Sequence, residues 1–150
     1  MALTVRQMGP RDREAWARMR AALWPQEAAA VHARDIDAML GSGIGWGFIA
    51  EEDGAAVGFA EITIRPFANG CDSKPVPFLE GIWVEPTFRR QGVGARLVRQ
   101  VEKFVIARGF REIGSDALIK NHASHAAHRG WGFCETERVV HFRKLLAARA

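Results

Sequence analysis

The segment from Val76 to Ala107 constrains the fold more than any other part of the sequence. It begins as an apolar run, Val76–Val84, passes through a basic turn that contains glycine, and continues as an amphipathic stretch from Gly92 to Ala107. Apolar residues recur in that stretch with a period of about 3.6 residues, which predicts a helix with one buried face. A buried strand that leads through a tight turn into such a helix is typical of proteins with mixed α and β structure.

The rest of the chain alternates between strand and helix patterns, without repeats or low-complexity linkers. Period-2 patterns and short apolar runs predict strands at Leu3–Met8, Trp46–Glu51, Ala56–Ile64, Val76–Val84 and Arg111–Ser115, and one or two more between Gly132 and Phe142. Helical periodicity and end signals predict helices at Arg11–Leu23, Glu27–Leu40, Gly92–Ala107 and Asn121–Arg129. Asp53-Gly54, between two strands, is a hairpin signal. This order predicts an α/β (α+β) protein with a mixed central sheet and helices on both faces.

Length and composition exclude several classes of protein. The 150 residues suit a single domain, 1–150, and 48% hydrophobic with 25% charged residues is ordinary for a globular protein. No apolar run approaches the ~18–20 residues of a membrane span, and the N-terminus lacks a signal-peptide pattern. We therefore expect a cytoplasmic protein whose two cysteines are free thiols.

The turn between the apolar run and the amphipathic helix has the features of a phosphate site. Gly92 and Gly94 let backbone amides approach a ligand closely. A helix N-terminus offers unpaired N–H groups and a positive dipole end, and Arg89 and Arg90 add positive charge. The alternative is an ordinary basic turn. The P-loop and dinucleotide patterns are absent, and a net charge of +4 permits an anionic ligand without requiring nucleic acid.

These residues carry a resemblance to a known family. Arg89–Gly94 is similar to the acetyl-CoA loop of the GCN5-related N-acetyltransferases, and Asn121 with Gly132-Phe133 resembles a later element of that family. The chain also resembles the aminoglycoside 6'-N-acetyltransferases. That similarity lies in Leu23-Trp24-Pro25, Asn69–Ser73, Phe78–Ile82, Ser115-Asp116 and Glu135–Val139.

The resemblance implies the GCN5-related N-acetyltransferase fold and a homodimer that transfers acetyl from acetyl-CoA to the 6'-amino group of aminoglycosides, giving antibiotic resistance. It implies neither a metal nor a nucleic-acid or membrane partner. The coenzyme-binding residues would be Ile82, Trp83, Val84, Arg89, Arg90, Gln91, Gly92, Val93, Gly94, Ala95 and Asn121. Two alternatives stay open: an N-acetyltransferase of another small polyamine or of a protein amine, and a module that only binds acetyl-CoA.

Three acids are candidates for binding a cationic substrate. Glu80 is the only acid in its apolar run, so it either binds and helps deprotonate a substrate ammonium or pairs with an arginine at the sheet edge. Asp116 follows a predicted strand and is the preferred base, the alternative being a capping or turn residue. Glu137 corresponds to a substrate-binding acid of the resembled enzymes, or is an exposed strand charge. We expect the three to meet in one cleft.

Two aromatic residues and a histidine complete the candidate site. Trp24 would form a flat wall for a sugar ring, or be a core residue, and Phe67 stands where the resembled enzymes can carry a substrate-contacting Tyr. His128 stands where many acetyltransferases of this fold place a Tyr acid, and the sequence contains no Tyr. We expect His128 to protonate the leaving thiolate or simply to pack. The spacing of His122, His125 and His128 does not favour a metal site.

Overall fold

The computed structural model describes residues 2–148, which form one five-stranded sheet with four α-helices. The strands are β1 (Leu3–Gln7), β2 (Gly45–Glu52), β3 (Ala55–Arg65), β4 (Val76–Val84) and β5 (Gly114–Ser115). The helices are α1 (Arg13–Leu23), α2 (Ala29–Met39), α3 (Val93–Ala107) and α4 (His122–Gly130), with 3-10 turns at Pro10–Asp12 and Pro86–Phe88. The strand order is β1-β2-β3-β4-β5, antiparallel throughout except for the parallel pair β4–β5. The expected mixed sheet is confirmed.

Helices cover both faces of the sheet, as expected. Successive residues of a strand point to opposite faces, and β2 illustrates the consequence. Phe48 belongs to the core beneath α3, whereas Ile49 belongs to the core beneath α1 and α2. The apolar stripe of α3 includes Leu97 and Val101, both about 1% exposed or less. No helix in residues 2–148 combines the length and the apolar character needed to cross a membrane.

A buried ion pair joins α1 to the middle of β3. The Arg20 guanidinium lies 2.5 Å from both carboxylate oxygens of Glu61, and the Trp16 indole N–H donates to the same carboxylate at 2.9 Å. Burial raises the pKa of Glu61, and the charge and hydrogen bonds of Arg20 oppose that rise. Arg20 also lies 4.8 Å from the ring centroid of Trp24, the residue directly after α1. The buried pair therefore helps to hold Trp24 in place.

The sequence-based expectation for the C-terminal region is wrong. No strand forms in residues 133–148, and β5 comprises two residues instead of the expected Arg111–Ser115. Val139, Val140 and Phe142 are 52%, 76% and 92% exposed, respectively. A strand requires hydrogen bonds from a neighbouring strand, and β5 is too short to offer them. The apolar alternation that predicted these strands contains no information about a partner.

Candidate active site

The sheet opens between β4 and β5. These strands pair only where Phe78 and Leu79 face Gly114 and Ser115, and β4 then runs on to Val84 without a strand beside this edge in the described part of the chain. The register of β3 and β4 also shifts here, because Glu61 pairs with Gly81 and Ile62 with Leu79. Glu80 is thus the extra residue of a β-bulge. The bulge and the missing partner leave backbone N–H and C=O groups of β4 free to meet a ligand.

A cleft of about 980 Å³ occupies this opening. It brings together most of the residues singled out from the sequence, namely Trp24, Glu80, Ile82, Trp83, Val84, Arg89, Arg90, Gly92, Val93, Gly94, Ala95, Asp116, Asn121 and His128. Phe67, Gln91 and Glu137 are not part of its lining. The cleft also includes residues that were not among the predicted site residues, and Ser115 and Trp131 are two of them.

One end of the cleft has the features that suit an anion. Gly92 caps α3 with φ +82°, a left-handed conformation that favours glycine. The first hydrogen bond of the helix runs from the Arg96 N–H to the Gly92 carbonyl at 3.1 Å, so the N–H groups before it have no partner within the helix. Arg89 donates to the Val84 carbonyl at 2.8 Å and braces the turn, while Arg90 is exposed at the cleft. Unpaired N–H groups beside an arginine suit a phosphate group.

Trp131 packs closely over the start of α3. A Cβ placed on Gly94 would lie 2.9 Å from Cζ2 of this indole, so only glycine permits the observed approach. From the sequence, we expected Gly94 to let a ligand approach the backbone closely. Gly94 also leaves the space that the Trp131 ring occupies. The sequence pattern gave no sign of this contact, because Trp131 lies after α4, 37 residues further along the chain.

The other end of the cleft contains the two acids that line it. Glu80 accepts hydrogen bonds from Arg65 Nε at 2.9 Å, Arg65 Nη2 at 2.7 Å and Thr63 Oγ1 at 2.6 Å. The pairing with an arginine that was left open from the sequence is therefore present, and Glu80 still faces the cleft. The hydrogen bonds to Glu80, with a further contribution from the charge of Asp116, raise the pKa of Arg65. Asp116 follows β5 directly and is exposed to the cleft.

The three acids do not meet in one cleft, contrary to expectation. Glu137 lies in the segment without regular structure after α4, near Gly70, where its Cγ is 3.7 Å from the position of an added Cβ. Phe67 is 62% exposed in the loop after β3 and also lies outside the cleft. Gln91 turns back to donate to the Thr87 carbonyl at 3.1 Å. Each was placed by its position along the chain, which does not determine where the side chain points.

His128 lines the cleft and is bonded through both ring nitrogens. Nε2 is 2.7 Å from Ser115 Oγ, and Nδ1 is 2.7 Å from the Ser124 carbonyl oxygen. Asn121 caps the same helix, since its side chain accepts from the Ser124 N–H at 3.1 Å. The ordinary capping role of Asn121 is thus present, and the residue also lines the cleft. Residues 2–148 contain no cluster of three or more potential metal ligands.

Comparison with known proteins shows the family to which this chain belongs. Residues 13–133 match the acetyltransferase (GNAT) family, and the chain belongs to that family. It is 42% identical over 143 residues to the aminoglycoside N(6')-acetyltransferase type 1 of Salmonella enteritidis, covering 95% of this chain and 99% of that enzyme. The corresponding enzyme of Stenotrophomonas maltophilia is 42% identical over 151 residues, covering 99% of this chain and 97% of its own.

Solved structures of aminoglycoside 6'-N-acetyltransferases are similar to this chain in both fold and sequence. AAC(6')-Iy in complex with the bisubstrate analog CoA-S-monomethyl-acetylneamine superposes with a TM-score of 0.93 at 41% identity, covering 97% of this chain and all of that one. AAC(6')-Ih from Acinetobacter baumannii gives a TM-score of 0.89 at 34% identity over 97% of this chain and 100% of its own. The family resemblance and the fold expected from the sequence are confirmed.

Proposed function

We propose that this protein transfers the acetyl group of acetyl-CoA to the 6'-amino group of aminoglycosides and thereby confers resistance to them. The observation that carries the proposal is the polarity of the cleft. Its α3 end offers N–H groups and Arg90 to an anion, and its β5 end offers Glu80 and Asp116 to a cation. Acetyl-CoA is an anion and aminoglycosides are polycations, so the two substrates fit opposite ends. The enzymes to which the chain is about 40% identical carry the same activity in their names.

The residues at the α3 end fit acetyl-CoA. The N–H groups of Val93, Gly94 and Ala95, with Arg90, would bind the pyrophosphate, and the open edge of β4 at Ile82–Val84 would hydrogen-bond the pantetheine arm. The coenzyme supplies an acetyl group activated as a thioester. A backbone N–H of this edge would donate to the thioester carbonyl oxygen, where negative charge develops during transfer. Asn121 would contact the arm from the other side of the cleft.

The residues at the β5 end would bind and prepare the acceptor. Asp116 is exposed and can take a proton from the substrate ammonium, which must be neutral to attack. Glu80 already pairs with Arg65, so it would bind a substrate amine while Arg65 holds its carboxylate in place. A charged hydrogen bond of this kind is worth about 1.5–3 kcal/mol. Trp24 would contact a sugar ring, and Glu137 and Phe67 would contact distant parts of a large substrate.

A thiol-release assay with acetyl-CoA tests the reaction. We expect turnover of compounds such as kanamycin and tobramycin, which carry a 6'-amine, and none of paromomycin, which carries a hydroxyl there. Comparable rates on paromomycin would show that another amine is acetylated. Turnover of other polyamines or protein amines alone would move the substrate to that class. Acetyl-CoA binding without turnover of any amine would leave only a binding module.

We also propose that the protein is a cytoplasmic homodimer. The segment 134–148, which we call the C-terminal arm, is exposed along its length and carries Phe142, Leu145 and Leu146 at 92%, 79% and 85% exposure. Apolar side chains in this number are costly in water, and a second copy of the chain would cover them. Both cysteines are free, which suits a reducing compartment. Light scattering should give about twice 16.6 kDa for the protein and a monomer for Phe142→Glu; a wild-type monomer at micromolar concentration would contradict the proposal.

A further inference from the structure

The contacts of His128 determine where its protons lie. Nδ1 is 2.7 Å from the Ser124 carbonyl oxygen, which can only accept, so Nδ1 carries a hydrogen, and the Ser124 hydroxyl oxygen at 3.2 Å is a second, longer acceptor for it. In the neutral ring Nε2 is then unprotonated and accepts the hydroxyl hydrogen of Ser115 at 2.7 Å. Both ring nitrogens of His128 are therefore engaged, and Ser115, which also lines the cleft, is the side chain bonded to Nε2.

The hydroxyl of Ser115 has a second acceptor within reach. Its Oγ lies 3.3 Å from the carbonyl oxygen of Leu79, the last residue of β4 that pairs with β5. When His128 is neutral, Ser115 donates to Nε2. When His128 is charged, Nε2 donates to Oγ, and the hydroxyl hydrogen is free to turn toward Leu79 or toward a ligand. Both protonation states of His128 thus find partners in the same arrangement, without movement of the backbone.

We propose that Ser115 and His128 together carry a proton from the attacking amine to the departing thiolate. The proposal rests on the acetyl transfer proposed above. The amine nitrogen forms a bond to the carbonyl carbon and becomes positively charged, while the carbon–sulfur bond breaks and its electron pair remains on sulfur. The nitrogen gives a proton to Ser115 Oγ as Ser115 passes its own to His128 Nε2. The reverse movement then delivers a proton to sulfur, and Ser115 and His128 return to their starting forms.

The location of Ser115 suits this exchange. The nitrogen and the sulfur are bonded to the same carbon during transfer, so one hydroxyl at that point can reach both. Ser115 lies where β4 and β5 separate, and it lines the same cleft as the residues proposed for the coenzyme and for the acceptor. Asp116, the next residue, takes the first proton from the substrate ammonium, so the two proton transfers have separate groups. The sequence contains no Tyr that could do this instead.

Two aromatic residues hold the His128 ring beside Ser115. Its ring centroid is 5.3 Å from that of Trp131 and 5.2 Å from that of Phe133, and the residue is half-buried. These contacts, together with the hydrogen bond from Nδ1 to the Ser124 carbonyl, keep Nε2 directed at Ser115 Oγ.

Steady-state kinetics of five variants test the proposal. Ser115→Ala and His128→Ala should each lower kcat by about 10- to 100-fold, toward the low end of general acid–base effects, with the KM of both substrates changed by less than about threefold. Ser115→Thr retains the hydroxyl and should restore most of the rate. The double variant Ser115→Ala/His128→Ala should be no slower than either single variant, because the two residues act as a unit. His122→Ala, on an exposed residue of α4 outside the cleft, should leave the rate unchanged.

A second measurement needs no substrate. NMR spectra of protein labelled with nitrogen-15 histidine, assigned with His128→Ala among the five histidines, should show neutral His128 with its hydrogen on Nδ1. Ser115→Ala should move the Nε2 resonance toward that of a nitrogen without a hydrogen bond, and Ser115→Thr should not.

We call the proton transfer through Ser115 and His128 the relay. The outcomes distinguish failure of the relay from failure of the acetyl transfer on which it rests. A hydrogen on Nε2 in neutral His128, full activity of Ser115→Ala, or additive losses in the double variant would each overturn the relay. If the wild-type protein binds acetyl-CoA but acetylates no aminoglycoside, the proposed function fails. The relay is then judged by the NMR result and by whichever amine the protein does acetylate.

Discussion

Gly81 offers a direct test of how the cleft obtains its aromatic wall. An added Cβ at this position would lie 2.6 Å from two ring atoms of Trp24 and 2.8 Å from Leu23 Cδ2. Carbon atoms in contact prefer about 3.5–4.0 Å, so Gly81→Ala forces the indole outward by about 1 Å. Trp24 resists, because it packs edge-on against Phe59 at 6.4 Å between ring centroids and lies under the Arg20 guanidinium.

The size of the effect follows from this overlap. Overpacking of a fitted site costs about 1–3 kcal/mol, which for a chain of this length lowers Tm by about 2–12 °C. An aromatic contact is worth about 0.5–1.5 kcal/mol, so loss of the Trp24 wall should raise the aminoglycoside KM by about 2- to 13-fold. The α3 end is untouched, and the Kd of acetyl-CoA should therefore change by less than about twofold.

Thermal unfolding measures Tm, steady-state kinetics give the aminoglycoside KM, and calorimetry gives the Kd of acetyl-CoA. Gly9→Ala is the matched control, since Gly9 has φ −128° and nothing lies within 4 Å of an added Cβ. This control should behave as the wild type does. If Gly81→Ala shows the same Tm and the same aminoglycoside KM as Gly9→Ala, Trp24 is not held against β4 and does not contact the substrate.

Other perturbations test the anion site and the buried charges. Gly94→Glu places a carboxylate and a clashing side chain at the start of α3, and calorimetry should show an acetyl-CoA Kd raised at least about 10-fold with the fold intact by circular dichroism; an unchanged Kd would refute the phosphate site. The hydrogen bonds from Arg6 hold the pKa of Asp12 below its usual value, so the ionised form stabilises the protein above about pH 4 and this contribution is lost as the pH falls through the lowered pKa. Urea unfolding of Asp12→Asn should therefore show a deficit of about 1–2 kcal/mol at pH 7 that shrinks below pH 4, and a deficit that is constant with pH would contradict this. Arg20→Met leaves Glu61 buried without its cation and should cost about 3–5 kcal/mol in the same assay, much of it recovered by adding Glu61→Gln; equal stability of the single and double variants would oppose the buried-pair interpretation.

Local patterns predicted most of the fold. The strand-to-helix segment from β4 to α3 and the β2–β3 hairpin depend on contacts between residues close in sequence. Asp53 and Gly54, for example, take positive φ values of 50° and 82°, as a two-residue turn requires. The C-terminal strands failed because a strand also needs a partner, and no partner for residues 133–148 is specified by their own alternation.

In the candidate site, too, the features formed by residues close in sequence were predicted, and those formed by distant residues were not. The anion-binding turn was predictable because its glycines, arginines and helix start are contiguous in sequence. The hydrogen bond from Ser115 to His128 joins a short strand to a helix 13 residues later, and the contact between Gly94 and Trp131 spans 37 residues. Such contacts depend on how the elements pack together. Phe67 and Glu137 were assigned to substrate binding from the resemblance to the family, and neither residue is part of the cleft lining.

The separation of β4 from β5 explains how a chain with net charge +4 can select a polycation. The arginines of the cleft lining lie at the α3 end, where Arg90 and the helix N-terminus would be neutralised by bound coenzyme phosphates. At the β5 end, Arg65 is engaged by Glu80, and Asp116 contributes a second negative charge beside it. Because the coenzyme fills the cationic end, the acidic end becomes the dominant local charge only after the coenzyme binds. From this charge distribution we predict that acetyl-CoA binds before the aminoglycoside, and inhibition by CoA that is competitive with acetyl-CoA but not with the aminoglycoside would show this order.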